Sequence, residues 1–253
     1  MNISKLVLLN RRQWQENKKA YYIGMLAIAG ILLFLFIVTW HFRDTFKGDT
    51  NRGIFLLGLF VGGGLFAASL LKDVKQPSRG MWLIGIPASA TEKLAVVIFY
   101  SVFVYLLFYL PLFYFLEGFF QWIVQEDISK IERVDLLKNG FYYFLFTFII
   151  SQLLILMGSL TFRKAAFLKT ILLMIGWFAI SNNLNIRLLG FMTGEKNING
   201  GALFDYFQFG YGGENVYVHL PENIDTIVSI FFNYLLPLVL CYINYLKLKE
   251  TEL

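Results

Sequence analysis

The sequence is poor in charged residues. Only 15% of its 253 residues are Asp, Glu, Lys or Arg, whereas 57% are hydrophobic and the mean hydropathy is +0.61. Soluble domains carry about a quarter charged residues, so this chain cannot cover itself with a wetted surface and the lipid bilayer must be its solvent. The net charge of +5 does not indicate nucleic acid, because the basic residues fall in short loops between apolar runs, where membrane orientation explains them. We expect no nucleic-acid partner.

Cysteine and histidine are nearly absent. The single cysteine, Cys241, excludes an internal disulfide and a cysteine-based metal cluster, and its apolar surroundings indicate a packed small residue. The two histidines, His41 and His219, fall in predicted outer loops. No H-E-x-x-H, G-x-S-x-G or paired acidic motif lies at membrane depth. We therefore expect a chain that is not an enzyme and holds no metal or cofactor.

The nucleotide-binding loop G-x-x-x-x-G-K-[ST] is also missing. Any ATP-driven work must come from a separate subunit, which would bind the nucleotide. The polar groups within the apolar runs are few, and we expect interhelical hydrogen bonds from them rather than ligand contacts. They are Ser69, Ser101, Ser151, Gln152, Asn233 and Asn244.

Long apolar runs dominate what is present. A bilayer core needs about 20 apolar residues per helix, and the sequence predicts six spans. Their approximate ranges are 21–40, 53–71, 94–116, 140–162, 167–181 and 226–246. The prediction is an all-α polytopic protein with a single transmembrane domain over residues 1–253. Residues 1–20 are predicted to form an amphipathic interfacial helix with Trp14 in the headgroup region, the alternative being a solvated basic leader.

Charge asymmetry predicts the orientation. With six spans and the N-terminus inside, the inner segments hold 14 of the 22 basic residues and 5 of the 17 acidic ones. This is the pattern of the positive-inside rule, so both termini are expected in the cytoplasm, in a cell (inner) membrane surrounded by lipid. The long outer segment 182–225 follows a short span and begins with Asn182, and we expect part of it to re-enter the outer membrane half. The alternative is a surface cap with interfacial aromatics.

Two further stretches point to contacts. Residues 72–93 form the longest polar interruption on the inner side; Ser89 and Thr91 are candidate caps of the next helix, with Glu92 in its first turn. We interpret this loop as a docking element for a soluble partner.

The second span carries small residues four apart, which suit close contact with another helix, either within this subunit or in a neighbouring one. They are Gly58, Gly62, Gly63, Gly64, Ala67 and Ala68.

The order of these segments resembles the membrane subunits of bacterial ABC-2 type transporters. The matching motifs are short and spread over the chain: Leu71-Lys72-Asp73, Arg79-Gly80, Ile86-Pro87-Ala88-Ser89 with Glu92-Lys93, the stretch GSLTFRKAAFLKT at 158–170, and Leu246-Lys247-Leu248-Lys249-Glu250. One departure is Gln76-Pro77-Ser78, where many members have an acidic residue before the Arg-Gly pair.

The resemblance implies a permease half of an ATP-driven exporter. It would pair with a second copy or a paralogue and with a separate ATP-binding cassette subunit. The loop at 72–93 would be the coupling element seated on that ATPase, with Asp73, Arg79, Gly80, Pro87, Ser89, Glu92 and Lys93 as its residues. Two other interpretations stay open: a membrane scaffold or assembly factor without a transport cycle, and an intramembrane enzyme, which the missing catalytic groups disfavour.

Overall fold

A computed structural model describes residues 3–42, 48–71, 88–124, 134, 142–162, 164–193, 198–200, 206–211, 214–219 and 222–252. The α-helices within these residues are α1 (Ile3–Phe42), α2 (Gly48–Leu57), α3 (Gly63–Leu70), α4 (Ala90–Phe99), α5 (Tyr105–Val124), α6 (Tyr142–Thr161), α7 (Ala166–Thr193), α8 (Glu222–Ile230) and α9 (Leu236–Glu252). Three single π-helical turns, Gly58–Gly62, Tyr100–Val104 and Phe231–Leu235, connect α2 to α3, α4 to α5 and α8 to α9.

The prediction of six helices able to span a membrane is confirmed. Within the described residues, six helical stretches are long and apolar enough to cross a membrane, because each presents about 20 residues of hydrophobic sequence with its backbone hydrogen bonds closed internally. The stretches, named the first to the sixth span, are Tyr21–His41, Thr50–Leu70, Ala90–Ile123, Tyr143–Thr161, Ala166–Arg187 and Thr226–Glu250.

Two predicted helix ends were wrong. The third span, predicted to end at residue 116, continues to Ile123, and at 1.5 Å per residue its 34 residues measure about 50 Å, well beyond a hydrocarbon core of about 30 Å. The helix predicted over 167–181 continues to Thr193. Asn183 is accommodated there because its Nδ2 donates to the carbonyl of Ala179, 2.8 Å away in the preceding turn.

The N-terminal segment is helical, as predicted for residues 3–20. No break separates it from the first span, since α1 is continuous from Ile3 to Phe42. Trp14, expected in the headgroup region, is exposed, as is Val7, whereas Leu9 packs against the core. Its placement in the headgroup region stays a prediction.

Three short strands lie in the segment before the last span, an addition that was not predicted from the sequence. They are β1 (Ile198–Gly200), β2 (Tyr206–Tyr211) and β3 (Glu214–His219), in the order β1-β2-β3 and antiparallel throughout. In the β2–β3 pair, Tyr206 lies opposite His219 and Tyr211 opposite Glu214. The re-entry predicted for residues 182–225 is not established by these strands and stays a prediction.

The chain divides into two compact units, Met1–Phe167 with Leu240–Leu253, and Leu168–Val239. The core of the first unit has two clusters. The larger is aromatic and centres on the third span, with Tyr105, Tyr109 and Phe113 among its fully or nearly fully buried side chains. The smaller is aliphatic and joins the end of the second span to the start of the third, to the fourth span and to Leu248 of α9.

Two π-helical turns set the register between the second and third spans. Residues five apart diverge on an α-helix of 3.6 residues per turn, but the i→i+5 pattern of a π turn brings Tyr100 and Tyr105 onto one face, which Tyr109 and Phe113 continue. Tyr105 donates its hydroxyl to the carbonyl of Gly58 (2.6 Å) and Tyr109 to that of Phe55 (2.7 Å). The rings of Tyr105 and Tyr109 stack with centroids 5.5 Å apart.

The glycines of the second span make room for these tyrosines. A methyl group added to Gly58 would lie 2.5 Å from the Tyr109 hydroxyl, and one added to Gly62 would lie 2.5 Å from the Tyr105 hydroxyl. Gly63 and Gly64 lie equally close to other helices. A methyl group added to Gly63 would meet Phe148 and Gln152 of the fourth span, and one added to Gly64 would meet Ile155 of the fourth span and Phe167 at the start of α7. Ala67 is buried in the aliphatic cluster and Ala68 packs against it. Packing within one chain therefore accounts for all six small residues.

The substitution Gly62→Ala should lower the free energy of unfolding by about 1–3 kcal/mol, because its methyl group overpacks against the Tyr105 hydroxyl. Tyr105→Phe alone should cost about 1 kcal/mol through the lost hydrogen bond. The double variant should be more stable than the sum of the two predicts, since Tyr105→Phe removes the hydroxyl oxygen that the added methyl group meets. Detergent unfolding titrations of all three variants measure this coupling.

The matched control is Gly30→Ala, since a methyl group at Gly30 meets nothing within 4 Å. Its stability should be unchanged or slightly raised by the better helix propensity of alanine. Strict additivity of the Gly62 and Tyr105 effects would contradict close packing of the tyrosine hydroxyl against the glycine.

Candidate functional site

The start of the third span is fixed by a capping box. Ser89 is extended (φ −69°, ψ 153°) and its Oγ accepts from the backbone N–H of Glu92 at 3.3 Å. The carboxylate of Glu92 accepts in return from the N–H of Ser89 at 3.1 Å. Two N–H groups that a helix start leaves unpaired are thereby satisfied. Ser89 is the cap, as predicted; Thr91 lies inside the first turn with its hydroxyl 2.9 Å from Ser89 Oγ.

The two charged residues that follow are buried. Glu92 is 5% exposed and Lys93 is 7% exposed, which is rare for charged side chains. The positive end of the helix dipole favours a carboxylate at the position of Glu92, but it disfavours a cation such as Lys93. Burial follows from the apolar residues around them, because Ala90, Leu94 and Val97 belong to the aliphatic cluster of the first unit.

That cluster joins four helices at one end of the first unit. Leu71 comes from the end of the second span, Leu156 and Leu160 from the fourth span, and Leu248 from α9, all packed with the start of the third span. The start of the third span is therefore held by three other helices. A displacement of it must move or deform all of them, because close-packed interiors have little free volume.

A small cleft opens beside Lys93. We name it the Lys93 cleft; its volume is about 50 Å³ and it is lined by Leu9, Arg12, Gln13, Glu16, Leu70, Leu71, Lys93, Val96, Val97 and Leu248. The polar side is supplied by α1, where Arg12 Nε donates to Glu16 Oε1 at 2.6 Å. The apolar side is supplied by the helices of the aliphatic cluster. Two cations, one carboxylate and one amide thus converge over an apolar floor.

One hydrogen bond and one ring contact tie α1 to this site. Tyr100 of the third span donates its hydroxyl to the carbonyl of Asn10 at 3.2 Å, and Gln13 Nε2 donates to the hydroxyl of Tyr21 at 2.8 Å. The ring of Tyr21 lies 5.6 Å from that of Tyr100 and 6.1 Å from that of Trp14. The N-terminal part of α1 is consequently attached to the third span rather than free in solvent.

The remaining predicted coupling residues, Asp73, Arg79, Gly80 and Pro87, lie outside the described residues. Of the predicted set, the structure places Ser89, Glu92 and Lys93 together. Arg12, Gln13 and Glu16 join Lys93 in the cleft, and none of these three was predicted from the sequence. The available signal was their spacing of three and four residues along a helix, which puts them on one face with Leu9.

A second buried polar group lies at the opposite end of the third span and was also missed. Asn51 is fully buried and donates Nδ2 to Glu117 Oε1 at 3.3 Å; the backbone N–H of Val134 donates to the same oxygen at 3.4 Å. Asn51 Oδ1 and Gln121 Nε2 are buried and have no hydrogen-bond partner among the described residues. Glu117 was expected in an outer loop, but the helix continues through it, and it is 2% exposed.

The polar groups inside the spans behave mostly as interhelical or local donors. Asn244 donates Nδ2 to the carbonyl of Leu153 on the fourth span at 3.0 Å, as expected. Ser69, Ser101 and Ser151 instead bond carbonyls of their own helices. Both side-chain heteroatoms of the fully buried Gln152 have no partner among the described residues.

No group of three His, Cys, Asp or Glu side chains that could hold a metal ion is found in the described part of the chain.

The chain matches no protein-family model, and no curated protein and no solved structure is similar to it.

The substitution Ser89→Ala should lower the free energy of unfolding by about 0.5–2 kcal/mol, because the Glu92 amide loses its acceptor. Glu92→Gln should cost less, since a glutamine can still complete the box. Amide hydrogen exchange of the first turn of α4, followed by mass spectrometry in detergent, should be faster in Ser89→Ala. Thr91→Ala is the matched control on the same turn. Equal exchange in the two alanine variants would show that the Ser89 cap does not hold this helix start.

Proposed function

We propose that this chain is the membrane-spanning subunit of an ATP-driven exporter of the ABC-2 type. It would form half of the transmembrane pathway and pair with a second copy or a paralogue. A separate ATP-binding cassette subunit would bind and hydrolyse ATP. The proposal includes a cell (inner) membrane location with both termini in the cytoplasm, as the charge asymmetry favours.

One observation carries the proposal. The helix start within the predicted coupling loop 72–93 is capped by Ser89 and Glu92 and packed against the second span, the fourth span and α9. A partner that pushed on the loop would act on a helix end that is fixed to three others. Such an arrangement suits transmission of force, whereas a loosely attached helix end would absorb the movement locally.

The tyrosine bonds offer a route for that movement along the membrane normal. Tyr100, Tyr105 and Tyr109 attach the third span to α1 and to the second span at successive levels. Helices bonded in this way move as a unit unless the bonds break. The π turns between them mark the places where the helical register departs from the α pattern, and such turns are frequent at functional sites.

The cargo class follows from the chemistry of the spans. The run from Leu94 to Leu116 holds no Asp, Glu, Lys, Arg or His, and the charged residues of the third span, Glu92, Lys93 and Glu117, lie towards its two ends. Charged side chains in the middle of a span are the usual sign of ion or proton coupling. An amphipathic, lipid-like or peptide cargo suits this pathway better than a small ion.

The decisive experiment is purification of the full chain from native membranes in mild detergent, followed by mass spectrometry and an ATPase assay. The proposal expects a co-purifying chain with a nucleotide-binding loop, and ATP hydrolysis that this subunit stimulates. A stable native complex without an ATP-hydrolysing chain would contradict it. Such a complex would favour the scaffold interpretation, and turnover by the isolated chain without nucleotide would favour an intramembrane enzyme.

In the reconstituted complex, Glu92→Ala should uncouple hydrolysis from transport. Transport per ATP hydrolysed should fall several-fold, because the variant removes both the cap partner and the buried charge at the helix start. Glu92→Gln keeps the capping box and separates the two effects. Unaltered coupling in Glu92→Ala, with the complex intact by size-exclusion chromatography, would exclude a coupling role for this helix start.

A further inference from the structure

A second cleft lies between the first and second spans and shares no lining residue with the Lys93 cleft. We name it the Gly24 cleft; its volume is about 240 Å³. One wall runs from Tyr21 to Leu32 of the first span and the other from Leu57 to Ser69 of the second. At 1.5 Å per residue the walls are about 17 and 18 Å long. The cleft therefore extends along two helices that are apolar enough to cross a membrane.

Glycines on both walls leave this space unfilled. A methyl group added to Gly24 would meet nothing within 4 Å, whereas one added to Gly62 would lie 3.6 Å from two side-chain carbons of Ile28. The two spans thus approach each other at Gly62 and Ile28, and a gap remains beside Gly24.

The cleft is open along one edge. Leu32 and Phe66, which line it, are buried, but its edge carries exposed apolar side chains, which are Ile31, Leu57, Val61 and Leu65. No charged residue lines it. A molecule can therefore enter sideways from the hydrocarbon that surrounds the spans, without crossing a polar surface.

Water does not suit this cleft. A buried water molecule makes two to four hydrogen bonds to polar groups that lack other partners. The side-chain polar groups on the walls are the hydroxyls of Tyr21 and Ser69. The hydroxyl of Tyr21 accepts from Gln13 Nε2 at 2.8 Å, and Ser69 Oγ donates to the carbonyl of Phe66 at 2.6 Å. Both already have partners, so the cleft calls for an apolar occupant.

The size of the cleft decides which apolar occupant it takes. A helix is about 10 Å across with its side chains, so a 17 Å length of it fills on the order of 1,000 Å³, several times the volume of the cleft. An empty cleft would forfeit dispersion contacts along both walls. A hydrocarbon chain, unbranched and one carbon wide, matches a space that is long and narrow.

We propose that the Gly24 cleft holds one acyl chain of a membrane phospholipid, which lies along the first and second spans. Lipid tails are as apolar as the side chains of the walls, so the preference for this position comes from shape and van der Waals packing. The proposal is independent of the transport function, because it concerns lipid contact alone.

The test uses the full chain in nanodiscs of phosphatidylcholine, a small fraction of which carries a photoactivatable diazirine on one acyl chain. Mass spectrometry of peptides measures the ratio of cross-links on residues 57–69 to those on Leu107, an exposed residue of the third span outside the cleft. Gly24→Leu should lower this ratio about threefold or more, because the leucine occupies the space of the acyl chain. Ala27→Phe, at another lining position, is a second filling variant.

The matched control is Gly30→Leu. Gly30 lies on the same helix, a methyl group added there also meets nothing within 4 Å, and it does not line the cleft. Both leucine variants gain the same helix propensity, so size-exclusion chromatography should show both folded.

Each outcome decides the proposal. A loss in Gly24→Leu and Ala27→Phe that Gly30→Leu does not share supports it. Equal ratios in all chains overturn it, as does an equal loss in all variants, which would reflect a general change of the helix. Absence of cross-links on residues 57–69 of the unchanged chain also overturns it. A change of oligomeric state in Gly24→Leu, measured by light scattering, would then indicate that a second copy covers the cleft.

Discussion

Hydrogen bonds from tyrosine hydroxyls to backbone carbonyls hold the first unit together, and the rest of its structure depends on them. Lipid offers backbone groups no partner, so side-chain donors to carbonyls at or near a change from α to π geometry stabilise the helix there. Tyr105 and Tyr109 supply the donors to the second span at Gly58 and Phe55. Each bond requires the two helices to approach closely, and a glycine at the contact allows it. The glycines, the π turns and the tyrosines thus act together to hold the second and third spans in contact.

The same third span carries the candidate functional site at one end and a buried polar group at the other. Its start is capped and enclosed by three helices, and it lines the Lys93 cleft; its far end buries Glu117 against Asn51. Both ends therefore hold a charge in a largely apolar environment, which is costly unless specific partners surround it. Function is expected where a protein tolerates such costs, so the functional interest of the molecule lies on this helix.

Part of the fold and of the candidate site could be predicted from the sequence. The six spans follow from runs of about 20 apolar residues, and the cap at Ser89 follows from the S-x-x-E pattern before an apolar run. The end of the third span could not be read, because Glu117 looks like a loop residue until Asn51 and Val134 are known to bond it. The strands β2 and β3 could have been predicted. Their sequences are two runs with aromatic or β-branched residues separated by Gly212-Gly213, a pattern typical of a hairpin.

Sequence alone determined that the chain is a membrane protein, how many times its helices can cross, and where one of those helices starts, since each depends on residues that are neighbours along the chain. Only the tertiary structure decided that the small residues of the second span face tyrosines and side chains of their own chain, and that Arg12 and Lys93 share a cleft. The physical reason is distance in sequence. Hydrophobicity and capping act within a few residues, whereas Arg12 and Lys93, or Gly62 and Tyr105, meet only when helices pack, and apolar helices in lipid pack by shape, which periodicity does not encode.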